Sequence, residues 1–494
     1  MNRHAQLTFV VGALLAVGPS HAAEYHVSVN GSSAGDGSLK NPWDLATALA
    51  QPSGVSPGDH VLLQGGEYVG PFTSRLRGTQ ANPIIVRTAP EQRVIITSVS
   101  SADALTIKGA WTWYWGFEVR YSDPKRTTFR GGSFPGDIHR GTCVTVEGPG
   151  TKLINLILHD CSQGIGLWAP ARDAEVYGSL IYFNGWSGAG SGHGHGIYSQ
   201  NDTGRKRIRD NIVFDQFGLG IQLYGSSKAS VRGYELIGNV LFNNGMIGEK
   251  GAGLDNILIA GGGSPKTDIT LDSNFSYHPV SAHSGYSRLG WTWDTLNGDI
   301  TVRNNYWIGG QPAVGLWHWS SITFRSNTSY SEDTPALLAD SNVLPNAGPR
   351  NWDHNRYYGV ERFTLNGQNL AFRQWQAMAE LDRESRFQAG RPTGTWSFVR
   401  PNEFDPTRAH IIVFNWDLAP TVKVDLTPVL KVGSVYEIRD AQNYFGSPIL
   451  SAVYNGVPVM LPMRVHETAR PVGEVPTPPL HTAPEFAVYI LLAH

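Results

Sequence analysis

"RDNIVFDQFGLGIQLYG", residues 209–225, decides how this chain folds. An Asn (Asn211) opens a short run of β-formers, a Gly-bearing turn follows, and a second short strand, "GIQLY", closes the unit. The same order recurs along the chain. The Asn stands in "LINLILHDC" (Asn155), "IGNVLFNNG" (Asn239), "DSNFSYHPV" (Asn274), "RNNYWIGG" (Asn305) and "RSNTSYSED" (Asn327), with Ser179 in the same slot of "YGSLIYFNG". The second strand recurs as "GIGLW" from 164, "GIYSQ" from 196, "NILIA" from 256, "GWTWD" from 290 and "GLWHW" from 315.

These slots lie 22 to 35 residues apart, counting Ser179. That spacing fits one turn of a three-sided coil with loops of varied length. Coils stacked at the strand spacing of about 4.8 Å pile their inward side chains into one continuous core. An Asn repeated at one corner can form an amide ladder from coil to coil. A propeller would need four strands and a steadier period per blade. The pattern predicts an all-β chain built on a parallel β-helix.

Composition agrees. The 494 residues hold 56 Gly, and the net charge is −2, so the basic footprint of nucleic-acid binding is missing. The start, "MNRHAQLTFVVGALLAVGPSHAAEYHV", has a basic end, an apolar run from Leu7 to Val17 and small residues up to Ala22. It reads as a signal peptide over residues 1–22, hence a secreted or periplasmic protein with no membrane insertion. The two cysteines, Cys143 and Cys161, fit a disulfide in an exported chain or two small buried hydrophobes equally well. Oligomeric state has no signature in the sequence.

The β-helix is expected over residues 23–365. Near its start Asp44 opens a short amphipathic helix carrying Leu45 and Leu49, a cap for the raw apolar end of the stack. Apolar residues at 372, 375, 378 and 381 predict a helical linker over 366–394. From Thr395 alternating strands such as "AHIIVFNW" and "FAVYILL" predict a β-sandwich over 395–494, which either seals the far end of the β-helix or forms an appended module.

The "GDGS" opening followed by "NPW" and "PGD", the Asn-marked coils and the "HGIY" strand resemble the secreted right-handed parallel β-helix superfamily, the pectate-lyase-like fold. The resemblance covers about residues 25 to 360. It implies the fold, a right-handed parallel β-helix, and leaves the reaction open, because that superfamily holds polysaccharide lyases, glycoside hydrolases, epimerases, esterases and phage tailspikes. The C-terminal strands are similar to sandwiches appended to extracellular carbohydrate-active enzymes.

Side chains alternate in and out along a strand. With Ile165, Ile197, Ile221 and Ile257 inward, Trp168, Tyr198, Gln200, Gln222, Tyr224, Thr292, Asp294, Trp317 and Trp319 face outward. Aromatic rings stack on the C–H faces of sugars, and amides and carboxylates bind their hydroxyls. Trp168, Gln200, Asn201, Gln222, Asp294, Trp317 and Trp319 are therefore expected to bind a polysaccharide. In "SGHGHGIYSQN", residues 191–201, His193 and His195 approach this face with Tyr198 close by, and the next loop carries Lys206 and Arg207. A lyase that eliminates across a uronate must neutralise a carboxylate, remove the adjacent proton and protonate the leaving oxygen. His193, His195, Tyr198, Lys206, Arg207 and Tyr224 supply those groups. A hydrolase would instead pair two carboxylates, Asp255 with Asp294, with Asp160 and Asp215 as further outward or loop-edge acids. A non-catalytic glycan-binding module remains the third reading. No cofactor is expected; calcium would need an acidic cluster in the groove, which the sequence does not show.

Overall fold

The computed structural model describes residues 22–133, 135–188, 190–249, 253–279, 285–291, 296–340 and 350–494. The expected signal peptide thus lies outside the described residues up to its last position. No described helix is long and apolar enough to cross a membrane.

Three long sheets, each of twelve strands among the described residues, run side by side from residue 24 to residue 389. Each coil gives one strand to each sheet, and neighbouring strands pair in parallel; the hairpin Phe363–Leu365/Gln368–Leu370 is an antiparallel end. The chain folds as a parallel β-helix. Ile165, Ile197, Ile221 and Ile257 stand in one register column and are fully buried. Their alternation with polar or small residues is what makes one side of the sheet core and the other side surface.

The Asn slot is a corner. Asn239 Oδ1 accepts from Asn211 N and Nδ2 at 3.2 and 3.0 Å, while Asn239 donates onward to Asn274 Oδ1 at 3.0 and 2.9 Å. The ladder runs from Ser179 through Asn211, Asn239, Asn274, Asn305 and Asn327 to Asn355. Just before each rung stands a residue with φ between 52 and 68°, as at Asp210, Gly238 and Asn304. Asn155 is a correction. It fills that left-handed position at φ 51°, and Leu156 takes the rung, its N–H donating to Ser179 Oγ. A second corner ladder, Asn184–Gln216–Asn244–Asn256, braces the turn that leads into the groove strands.

Both ends are closed. Asp44 caps the helix Leu45–Leu49 by accepting from Thr47 N at 2.8 Å, and Leu45, Ala48 and Leu49 pack into the core. At the other end the expected linker is a cap. Phe372, Trp375 and Ala379 of the helix Phe372–Ala379 enter the same core, and Arg386–Ala389 adds a last parallel rung on Arg356–Gly359. The sandwich therefore seals nothing there. Its five-stranded antiparallel sheet lies along the flank, where Ile412, Phe414, Phe486 and Val488 meet Ile212, Phe214, Val240, Phe242 and Phe275. This is why the flank strands "IVF" and "VLF" are buried on both faces. Cys143 and Cys161 are disulfide-bonded, with Cα atoms 5.4 Å apart.

Asp160 and Asp215 belong to this flank, not to an exposed edge. Asp160 pairs with Arg126 and with His159 Nδ1 at 2.6 Å. Asp215 is fully buried, its Oδ1 has no partner among the described residues, and burial pushes its carboxyl up to about 8.

Two outcomes follow from these corners. Asn239→Ala strands buried donors on Asn211 and the Ile208 carbonyl, so the urea midpoint should fall, with a loss of about 1–3 kcal/mol per orphaned group. For Asp215 the unfolded chain ionises near pH ~4 while the folded chain holds the proton to about 8, so this group lowers stability as pH rises through that window. Asp215→Asn should remove that slope, melting above the wild type at the alkaline end and close to it at the acidic end.

Candidate active site

The register of the groove sheet sets out the exposed face in rows. Gly166, Tyr198, Gln222, Leu258 and Arg288 stand in line across five neighbouring strands. Three residues earlier, where the strands begin, His195 lies opposite Leu219, and one alternation later Tyr224 lies opposite Ala260. Asp255 stands just before the next strand, its carbonyl accepting from Gly220 N at 3.0 Å.

His193 reaches the groove differently. It ends a small hairpin, Trp186–Gly188 against Ser191–His193, and its ring stacks on Trp186 at 5.4 Å between centroids and 10° between planes. Gly194 then turns the chain into the strand His195–Ser199 at φ 92°, where a Cβ would lie 2.3 Å from Ser162 O. The "GHGHG" spacing thus builds a wall and a floor from one short stretch.

Between them opens a cleft of about 540 Å³ lined by Trp168, Trp186, His193, His195, Tyr198, Gln222 and Tyr224. A second cleft of about 300 Å³, with Asp255, Leu258, Arg288 and Trp291, shares Leu219, Gln222, Tyr224 and Leu254 with it. Together they form one groove across five strands, hence about 19 Å along the stack.

Trp168 spreads over Gly166, where an added Cβ would lie 3.0 Å from the indole nitrogen. Its ring is 5.5 Å from that of Tyr198. Gln200 backs this pair, its Nε2 donating to Tyr198 Oη at 3.3 Å and to Tyr224 O at 3.1 Å. Burial raises the Tyr198 phenol, with the Gln200 hydrogen bond opposing. The His195 imidazole lies 5.7 Å from Tyr198. Desolvation first, and the neighbouring His193 second, push it down to about 4, so it is a neutral proton acceptor at neutral pH. Three solvent-shielded polar atoms here lack a partner among the described residues: Trp186 Nε1, His195 Nδ1 and Gln222 Oε1. At the other end Arg288 Nε lies 3.2 Å from Asp255 Oδ2; burial raises Asp255 to about 6 against the pull of Arg288.

Several expected site residues are elsewhere. Lys206 opens a strand of another sheet, fully buried, its Nζ donating to the carbonyls of Leu167, Trp168 and Gln200 at 3.0, 2.7 and 2.6 Å. Arg207, next to it, faces out from that sheet and pairs with Glu235 at 3.0 Å. Asn201 is buried and ties down Gly204 O and Arg232 O. Trp319 is fully buried in the interior, donating to Leu289 O at 2.9 Å. Trp317 does lie on the groove face, over Gly315 and 6.1 Å from Tyr286, but is nearly covered. Asp294, with Thr292, lies outside the described residues. The common physical cause is the corner: in–out alternation holds within a strand and is reset where the chain turns. The groove strand near 290 is Ser287–Leu289, not "GWTWD", and reading its register would have found Arg288. Trp186 had only its nearness to the Gly-rich hairpin as a signal. Among the described residues a cluster able to share a cation, Asp353–His354–Glu384, lies off the groove, with Arg325 donating to His354 Nδ1 at 3.0 Å.

No protein-family model matches the chain, and no curated protein does. Among solved structures it is similar to the pectate lyase Pel9A (18% identity, 66% of this chain and 81% of that one, TM-score 0.42). It is also similar to the GH136 lacto-N-biosidase of Eubacterium ramulus (15%, 74% and 67%, 0.46) and to XylC in its complex with xylose (11%, 94% and 99%, 0.44). The parallel β-helix is established by the chain's own sheets; what the groove does rests on its own residues.

Nuclear magnetic resonance of the imidazole protons should show titrations at about 4 for His195 and His278, of which one vanishes in His195→Gln. Occupation of the cleft by a carboxylate should move that titration upward, because a nearby negative charge favours the imidazolium.

Proposed function

We propose that the chain is a carbohydrate-active enzyme that cleaves an acidic polysaccharide by β-elimination in this groove, outside the cytoplasm. The observation that carries the reading is a cleft walled by aromatic rings in which the His195 imidazole and the Tyr198 phenol ring lie 5.7 Å apart beside Gln222. Trp168, Trp186, Tyr198 and Tyr224 offer the flat faces on which sugar rings stack. The disulfide fits an oxidising compartment.

In the proposed step the His195 imidazole accepts the proton on the carbon beside the uronate carboxyl. The C–H electron pair becomes a carbon–carbon double bond, the bond to the glycosidic oxygen breaks, and the Tyr198 phenol protonates that oxygen. The Gln222 side-chain amide hydrogen-bonds the carboxyl. A substrate carboxylate entering the cleft raises the basicity of His195 when the proton must be taken. Lys206 and Arg207 have no part in this chemistry, and it calls on no cofactor. Paired-acid hydrolysis is less well supported: Asp255 is the one carboxylate among the described groove-lining residues, and the mechanism needs two.

Incubation with a panel of uronate polymers should release products that absorb in the ultraviolet through the new double bond, together with reducing ends. His195→Ala and Tyr198→Phe should each slow that release by roughly 100- to 10,000-fold. Reducing ends without the double bond would mean hydrolysis, and binding without either would mean a glycan-binding module.

A further inference from the structure

The groove is nearly uncharged. Among its described lining residues Arg288 is the only lysine or arginine, and it faces the only carboxylate, Asp255. A polymer with a carboxylate on every sugar would bring several negative charges into a low-dielectric cleft with one cation to meet them.

That cation is held with care. The Arg288 guanidinium lies 4.9 Å from the Tyr286 ring centroid and 4.8 Å from that of Trp291. Its contact with Asp255 is a loose one, Nε at 3.2 Å without hydrogen-bonding alignment and Nη2 at 3.4 Å. Asp255 shares the register column of His195 and Leu219 two strands along the stack, and Arg288 stands on the strand after, so the two strands lie about 10 and 14 Å along the stack from that of His195. Between the imidazole and the ion pair lie Leu219, Gln222 and Tyr224, which offer stacking and hydrogen bonds but no charge. Burial also raises Asp255 to about 6, which makes it an acid that yields its partner readily to a better-placed anion.

We propose that Arg288, released from Asp255, is the acceptor for a second anionic group of the substrate, so that the groove takes an acidic heteroglycan in which charged and uncharged sugars alternate rather than a homopolyuronate. This rests on the elimination reading for the sugar at His195 and adds the identity of its neighbours. From His195 the ion pair lies two to three strand spacings along the stack, which leaves room for an uncharged sugar between two charged ones. The planar guanidinium, fixed between two rings, meets a carboxylate or sulfate in two-point fashion.

The test compares three polymers, hyaluronan as an alternating acidic glycan, polygalacturonate as a homopolyuronate and a neutral xyloglucan, by equilibrium binding to the His195→Ala protein and by ultraviolet product release with the wild type. Hyaluronan should bind tightest, and Arg288→Ala should weaken it by about 10- to 100-fold, the worth of a charged hydrogen-bonded contact, while leaving xyloglucan unchanged. Asp255→Asn, which keeps the fold's packing, should tighten hyaluronan several-fold. The inference is overturned if polygalacturonate binds as well as hyaluronan, or if neither substitution changes hyaluronan binding. If hyaluronan binds in an Arg288-dependent way and no polymer yields unsaturated product, the subsite stands and the elimination reading fails. If polygalacturonate is cleaved fastest and Arg288→Ala is silent, the elimination reading stands and the subsite fails.

Discussion

The constraint on which the rest depends is the in-register stacking of coils. Once Ile165, Ile197, Ile221 and Ile257 share one buried column, the residue after each is forced onto the opposite face of the same sheet. Gly166, Tyr198, Gln222 and Leu258 therefore line up whether or not they interact. A shift of one residue in a single coil would turn its groove residue inward and expose an isoleucine. The Asn ladder prevents that shift, since each amide bonds both the N–H and the side chain of its neighbour and cannot do so out of step.

Stacking leaves three faces and two ends, and the molecule treats each differently. Helices close both ends. The flank sheet is covered by the sandwich, which buries Asp160 and Asp215 that would otherwise be surface acids. The groove sheet keeps its face open, with the Trp186–His193 hairpin raised beside it. The proposed chemistry sits on this open face. On the flank His159 is held between Asp160 and Glu118, at 2.6 and 3.0 Å.

The electrostatics of the groove come from desolvation more than from charge. His195 is lowered and Tyr198 raised mainly by burial. A proton acceptor that is neutral and a phenol that holds its proton stand side by side, in the protonation states that elimination uses. Lys206 has been moved from that chemistry into the scaffold. Its ammonium binds the carbonyls at the ends of the strands that carry Trp168 and Gln200, and desolvation lowers it to about 7.

Period and punctuation in the sequence determined the β-helix, its capping helix at Asp44, the inward isoleucines and, through alternation inside single strands, the outward direction of Tyr198, Gln222 and Tyr224. These are local properties of a strand and survive without knowledge of its neighbours. Only the tertiary structure decided which residues beyond a corner share the groove. Arg288 joined it and Trp319, Asn201 and Lys206 left it because left-handed corner residues reset the in–out parity by amounts that the sequence does not mark. Tertiary packing likewise turned the expected linker into a cap and laid the sandwich on the flank, since which apolar face meets which is settled by the assembled surfaces and not by any one segment.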